Sequence, residues 1–385
     1  MIQEGFSAEP AVLVSLDFGT ADYAENLEEL RLLADSAGVQ AVAIVEGKRQ
    51  RPDPALYAGS GKVQEIADVL VQHRANTVIF NHDLTPAQQR NLITRLKARV
   101  IDRTALILDI FAQRAQSHEG KVQVELAQLK YLATRLTGIG AELGQQKGGI
   151  GLRGPGETRL ETDRRKLARR VEILNGRLAK LKRQRTVQRR ARKRGDVLSV
   201  SIVGYTNAGK STLFNSLTHA KAYAANQLFA TLDTTSRRLY LPGRESAEEG
   251  GQVVISDTVG FIRHLPHSLV AAFRATLEET VQADLLLHVV DSGSPDRDRQ
   301  IAEVDKVLQE IGADSIPQIL VFNKIDLLDL PAGVERNEYG RIQRIRLSAK
   351  TGAGMDALRA ALSEARTGSR SREHGSTNDQ DMPWH

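Results

Sequence analysis

A glycine-bounded turn, Gly204-Tyr205-Thr206-Asn207-Ala208-Gly209-Lys210-Ser211, has the spacing G-x-x-x-x-G-K-[ST]. Glycines at both ends let successive backbone N–H groups turn inward around phosphate oxygens, and the helix that follows adds the positive end of its dipole. Lys210 would neutralise the β- and γ-phosphates of a nucleotide. The Ser211 hydroxyl is placed to bind Mg²⁺, and Thr212 stands next to it in the same binding set.

Three more segments extend this chemistry. Asp257-Thr258-Val259-Gly260 closes the apolar run Gln252–Ser256, where a strand should deliver a metal-associated aspartate and a glycine N–H that senses the γ-phosphate. Asn323-Lys324-Ile325-Asp326 follows the apolar run Ile316–Phe322. A carboxylate there accepts from both the N1 and the exocyclic N2 of guanine, a donor pair that adenine lacks. At ~1.5–3 kcal/mol per charge-assisted bond this favours guanine by a factor of hundreds. Ser348-Ala349-Lys350, after the run Arg344–Leu347, can offer a backbone N–H to the base oxygen. Each tetrapeptide alone is weak. In this order, each at a strand's carboxyl end, they imply GTP binding and hydrolysis.

Two residues shape the expected mechanism. Phe261 stands after Gly260, where Ras-like enzymes keep a glutamine that orients the attacking water, so basal turnover should be slow. The Asn207 amide oxygen could coordinate a monovalent cation such as K⁺ beside the phosphates, or the residue could simply form the turn.

The elements that must hold these residues follow from periodicity. Apolar runs at Ala11–Leu16, Ala41–Val45, Thr77–Phe80 and Arg99–Ile101 read as buried strands. Helical segments near Tyr23–Ala37, Val63–His73 and Pro86–Ala98 separate them, the last opened by Thr85 and Pro86. Residues 1–117 thus predict a small parallel α/β domain. Val122, Leu126, Leu129, Ala133 and Leu136 then form a helical seam. A second seam runs through Leu160, Leu167, Val171, Leu174, Leu178 and Leu181, and eight glycines lie between the two in 138–156. Residues 118–195 therefore predict an antiparallel helical hairpin with a glycine-rich tip and a basic linker. Strand–helix alternation resumes from Val197, so 196–367 predict a Ras-like P-loop GTPase domain. The polar remainder, 368–385, reads as a disordered tail. Gly59-Ser60-Gly61-Lys62 lacks the full phosphate-loop pattern and reads as a structural turn.

The 385 residues, 41% hydrophobic and 26% charged, suit two or three globular units and exclude global disorder. No run of eighteen apolar residues exists to cross a bilayer. Absence of cysteine excludes disulfides, thiolate metal sites and thiol nucleophiles, and MIQEGFSAEP has no secretion signal, so the cytoplasm is the expected compartment. A monomer is the working expectation. The net charge of +6 is unevenly placed: 17 Lys and Arg against four acids between Arg153 and Arg194 make that segment +13. A polyanion, nucleic acid before lipid, is the expected partner there.

Taken together, the phosphate-loop domain, Gly149-Ile-Gly-Leu-Arg-Gly-Pro-Gly-Glu-Thr-Arg-Leu-Glu-Thr-Asp-Arg-Arg165 and Asp257-Thr-Val-Gly-Phe-Ile-Arg-His-Leu-Pro-His267 resemble the HflX family of ribosome-associated GTPases. Phe80–Asn91 and Val124–Tyr131 are similar to that family's N-terminal region. The resemblance implies binding of the 50S ribosomal subunit, GTP hydrolysis with Mg²⁺, and splitting or rescue of stalled ribosomes under stress. It implies that Thr231, within Leu228-Phe229-Ala230-Thr231-Leu232-Asp233, ligates Mg²⁺ with Ser211, and that Lys210, Thr231 and Gly260 form the catalytic set. It also places the hairpin tip, with Arg153 and Arg159, against ribosomal RNA. Thr234 departs from the family's frequent proline, which leaves that switch less ordered at rest. Two other readings stand beside this one: an Era-like GTPase of ribosome assembly, and a non-enzymatic RNA-binding adaptor that holds GDP.

Overall fold

The computed structural model describes residues 9–143, 155–193, 197–219, 227–241, 251–263 and 274–375. It forms two compact units, Met1–Lys180 and Leu181–His385.

In the first unit, β1 (Pro10–Asp17), α1 (Tyr23–Ser36), β2 (Gln40–Lys48), α2 (Ser60–His73), β3 (Thr77–Phe80), α3 (Pro86–Leu96), β4 (Arg99–Ile101) and α4 (Arg103–Arg114) follow in order. The strands make a four-stranded sheet, β2-β1-β3-β4, paired in parallel throughout. Central β1 is buried along six consecutive positions, as a strand covered by helices on both faces must be. The start of α3 is fixed locally, since Thr85 and Gln88 make a reciprocal capping box ahead of Pro86. Only Gly59, at φ +80°, stands outside α2, so residues 60–62 of the expected turn form the first turn of that helix, where Lys62 donates to the Glu46 carbonyl at 2.7 Å and pairs with Glu65.

The long helices α5 (His118–Leu143) and α6 (Pro155–Lys193) meet through Val122, Leu126 and Leu174, flanked by Leu129, Val171 and Leu178 and by the Arg170–Glu125 ion pair. The first compact unit takes in α5 and the part of α6 up to Lys180. Asp102 supplies the reason. Fully buried, it caps α4 through the Ala105 N–H, accepts from the Tyr131 hydroxyl at 2.9 Å and pairs with Arg135, both from α5. Burial pushes the Asp102 carboxyl upward, and the hydrogen bonds and Arg135 oppose that shift.

The second unit holds β5 (Leu198–Gly204), α7 (Lys210–Thr218), β6 (Thr235–Leu241), β7 (Gly251–Asp257), α8 (Arg274–Val281), β8 (Leu285–Asp291), α9 (Arg297–Ile311), β9 (Gln318–Asn323), β10 (Gly333–Arg336), β11 (Ile342–Arg346) and α10 (Met355–Gly375). Its sheet runs β10-β11-β9-β8-β5-β7-β6, parallel except at the two edge pairs. Val200, Ile202, Phe214, Leu287, Val321 and Leu358 belong to its core. This is a mixed α/β architecture, with the glycine-bounded turn Gly204–Ser211 joining β5 to α7. One expectation needs correction. Helix α10 runs to Gly375, eight residues into the segment 368–385 expected to be disordered. Packing of Leu358, Ala361 and Leu362 nucleates the helix, and each further turn then costs little to add. Residues 376–385 lie outside the described set.

Candidate functional site

Strand β5 ends at Gly204, and the chain turns through Asn207, held at φ 62°, into α7. Gly209 precedes that helix at φ +93°, and a Cβ there would fall 2.3 Å from Asn323 Nδ2. Both the backbone twist and the close approach demand glycine. Asn323 uses its whole amide as a brace. Its Nδ2 donates to the Ala208 carbonyl at 3.0 Å, and its Oδ1 accepts from the Ala349 N–H at 2.9 Å. One side chain thereby ties together the phosphate loop, the end of β9 and the segment after β11.

The result is a cavity of about 620 Å³ lined by Thr206, Asn207, Gly209, Lys210, Ser211 and Thr212, by Phe229, Ala230 and Thr231, and by Thr258, Gly260, Asn323, Lys324, Asp326, Ala349 and Lys350. A nucleoside triphosphate is well within the reach of such a volume. The other residues expected at the site form its supports. Tyr205, Ala208, Leu232, Asp257, Val259, Ile325 and Ser348 are buried around it. Gly204 ends β5, and Asp233 lies between Thr231 and β6. Asp326 Oδ1 accepts the Ser348 hydroxyl at 2.6 Å, and Lys324 pairs with Asp291 at 2.8 Å. Gln227 and Leu327 also line the cavity and were not expected. Leu327 could have been found from its place beside Asp326, whereas nothing in the spacing singles out Gln227. Arg159 lies on α6, and Arg153 lies outside the described residues.

Three oxygens converge at the phosphate end. The Ser211 and Thr231 hydroxyls both donate to Asp257 Oδ2, at 2.7 and 2.9 Å, and lie 2.7 Å from each other. Asp257 is fully buried, and its Oδ1 has no hydrogen-bond partner among the described residues. Burial pushes this carboxyl upward, a penalty that a nearby cation would relieve. Two hydroxyls and a carboxylate are hard oxygen donors, and they fit a magnesium ion that also binds phosphate.

Lys210 reaches the Tyr205 carbonyl at 2.7 Å, and burial pushes its ammonium down to about 8, with Asp257 opposing the shift and Lys324 adding to it. Bound phosphate would raise that value again. Below pH 8 the lysine is charged with or without nucleotide, so affinity should be flat. Above pH 8 binding must take up a proton, and GDP affinity should fall by up to about tenfold per pH unit. Calorimetry in buffers of different ionisation enthalpy measures that proton, and Lys210→Met should abolish the slope. Wild-type affinity that stays constant to about pH 9.5 would contradict the assignment.

Three family models match the chain: a GTP-binding GTPase N-terminal region over residues 24–112, a GTP-binding GTPase middle region over 114–192 and a 50S ribosome-binding GTPase over 199–324. The GTPase HflX of Escherichia coli (strain K12) is 53% identical over 363 residues, covering 94% of this chain and 84% of that protein. The chain belongs to the HflX family. As an HflX protein with a P-loop GTPase domain, it is a GTP hydrolase. The GTPase HflX of Caldanaerobacter subterraneus subsp. tengcongensis is 48% identical, covering 92% of this chain and 80% of its own. A crystal structure of SsGBP in complex with GDP superposes with a TM-score of 0.51 at 26% identity, covering 93% of this chain and 98% of that one.

Proposed function

We propose that this HflX-family GTPase acts on the large, 50S ribosomal subunit in the cytoplasm, and that its GTP cycle serves to dissociate or rescue stalled ribosomes under stress. The observation that carries the reading is the concentration of basic charge on α6. Arg164, Arg165, Lys166, Arg169, Arg170, Arg177 and Lys180 are all exposed there, within a segment of net charge +13. Like charges spaced along one helix repel one another, so such a surface suits a dense polyanion, and folded RNA supplies phosphate at that density.

In this reading GTP occupies the cavity above. The phosphate loop and Lys210 take the phosphates, Asp326 and a backbone N–H of the Ser348–Lys350 turn read the base, and Lys210, Thr231 and Gly260 act on the γ-phosphate. Ser211 and Thr231 would hold Mg²⁺, supported by Asp257, and the ion would supply positive charge to the phosphate oxygens. Asn207 lines the cavity, where its amide would accept K⁺. Phe261 is buried and orients no water, so catalysis waits for the ribosome. Arg153 and Arg159 contact the RNA.

Hydrolysis should be slow alone and rise about tenfold or more with purified 50S subunits, with a further gain in K⁺ over Na⁺. Arg153→Ala with Arg159→Ala should remove the 50S stimulation and ribosome splitting while basal hydrolysis persists. Fast basal hydrolysis indifferent to 50S subunits would overturn the proposal. A large drop in melting temperature with 50S affinity preserved would make the two arginines structural only.

A further inference from the structure

The three residues after Gly260 are almost fully enclosed: Phe261 is 1% exposed, Ile262 2% and Arg263 5%. They are joined to the phosphate loop along its whole first half. The Phe261 N–H donates to the Gly204 carbonyl at 3.1 Å, and the Thr206 N–H donates to the Phe261 carbonyl at 2.7 Å. These bonds form a parallel bridge between Tyr205 and Phe261. One residue further on, the Arg263 N–H donates to the Tyr205 hydroxyl at 2.9 Å. The Arg263 guanidinium pairs with Asp296 at 3.1 Å, and Asp296 sits at the N-terminal boundary of α9. Gly260 is consequently pressed against the phosphate loop. A Cβ there would stand 2.7 Å from Thr206 Cγ2 and 2.9 Å from Lys210 Nζ.

We infer that Tyr205 and Arg263 are positioning residues for GTP hydrolysis, acting through Gly260. In a glutamine-type switch, the side chain after this glycine orients the attacking water. Here the equivalent side chain is buried phenylalanine, and Gly260 is placed from behind, through the Tyr205 hydroxyl and the Arg263–Asp296 pair. Motif chemistry leaves the residue at position 205 open, since the loop's phosphate contacts are made by backbone N–H groups. A tyrosine at that position reaches out of the loop and satisfies a buried N–H two residues past Phe261. Asp296 shares its carboxylate between Arg263 and Arg299 and makes no side-chain cap on α9. Its charge therefore serves the link to Arg263 at the expense of helix capping. Holding Gly260 in register with Lys210 matters most when charge develops on the γ-phosphate. GDP binding does not depend on it.

Tyr205→Phe in the full chain tests this by single-turnover GTP hydrolysis alongside GDP titration. Loss of an interaction used only in the transition state lowers kcat and leaves ground-state affinity alone, so we expect kcat to fall about tenfold while the GDP Kd stays within about twofold. Tyr339→Phe, at an exposed tyrosine remote from the cavity lining, should change neither. Asp296→Asn keeps the size of the side chain and removes the ion pair, and it should repeat the kcat-specific loss if Tyr205→Phe does not fold. Arg263→Lys keeps the charge pair and should retain most of the rate. Wild-type kcat in both Tyr205→Phe and Asp296→Asn would overturn the inference. So would a loss in kcat matched by an equal loss in GDP affinity, or a lowered melting temperature with kcat intact, since each marks a structural role only.

Discussion

Asp326→Asn is expected to lower GTP affinity by about a hundredfold or more and to improve binding of xanthosine triphosphate. The carboxylate sits in the cavity wall with one oxygen accepting the Ser348 hydroxyl at 2.6 Å, which holds its orientation. Guanine presents two N–H donors to it, whereas an asparagine amide would set a donor against one of them. Xanthine carries a carbonyl where guanine has its amino group, so the same substitution turns a clash into a hydrogen bond. Titration with GTP and xanthosine triphosphate decides the matter. An unchanged preference would remove Asp326 from base recognition.

Thr231→Ala is expected to reduce GTP hydrolysis by about 10² to 10³ while leaving GDP affinity within a few-fold of wild type. Its hydroxyl donates to Asp257 Oδ2 at 2.9 Å and lies 2.7 Å from the Ser211 hydroxyl. It therefore completes the oxygen set that suits a magnesium ion next to the γ-phosphate. GDP has no γ-phosphate for it to act upon, and this accounts for the difference between the two readouts. Hydrolysis measured across a magnesium titration should show the variant slow even at saturation. Recovery of the wild-type rate at high magnesium would reduce Thr231 to a metal-affinity role, and an unaltered rate throughout would exclude it from the site.

Much of this site was legible before any fold was known. The turn Gly204–Ser211, the strand-terminal positions of Asp257 and Asn323 and the helix beginning at Lys210 all rest on local backbone rules. Those rules include which residues tolerate a left-handed twist, which runs pack as buried strands and where a helix can begin. Gly209 illustrates this, since its φ of +93° is a property of the turn itself. The first sheet was equally readable, since each of its strands is a short apolar run flanked by periodic helices. What only the tertiary structure decided are the meetings between side chains far apart in sequence. Ser211, Thr231 and Asp257 come together because sheet order places β7 beside β5. Asp102 gathers Tyr131 and Arg135 from α5. Burial of Phe261 and the link from Tyr205 to Arg263 depend on how the chain beyond β7 crosses the phosphate loop. A residue's own type and its near neighbours settle its local conformation, because steric limits act over a few bonds. Which distant side chain it meets is set by strand order and register, which the alternation of polar and apolar residues does not specify.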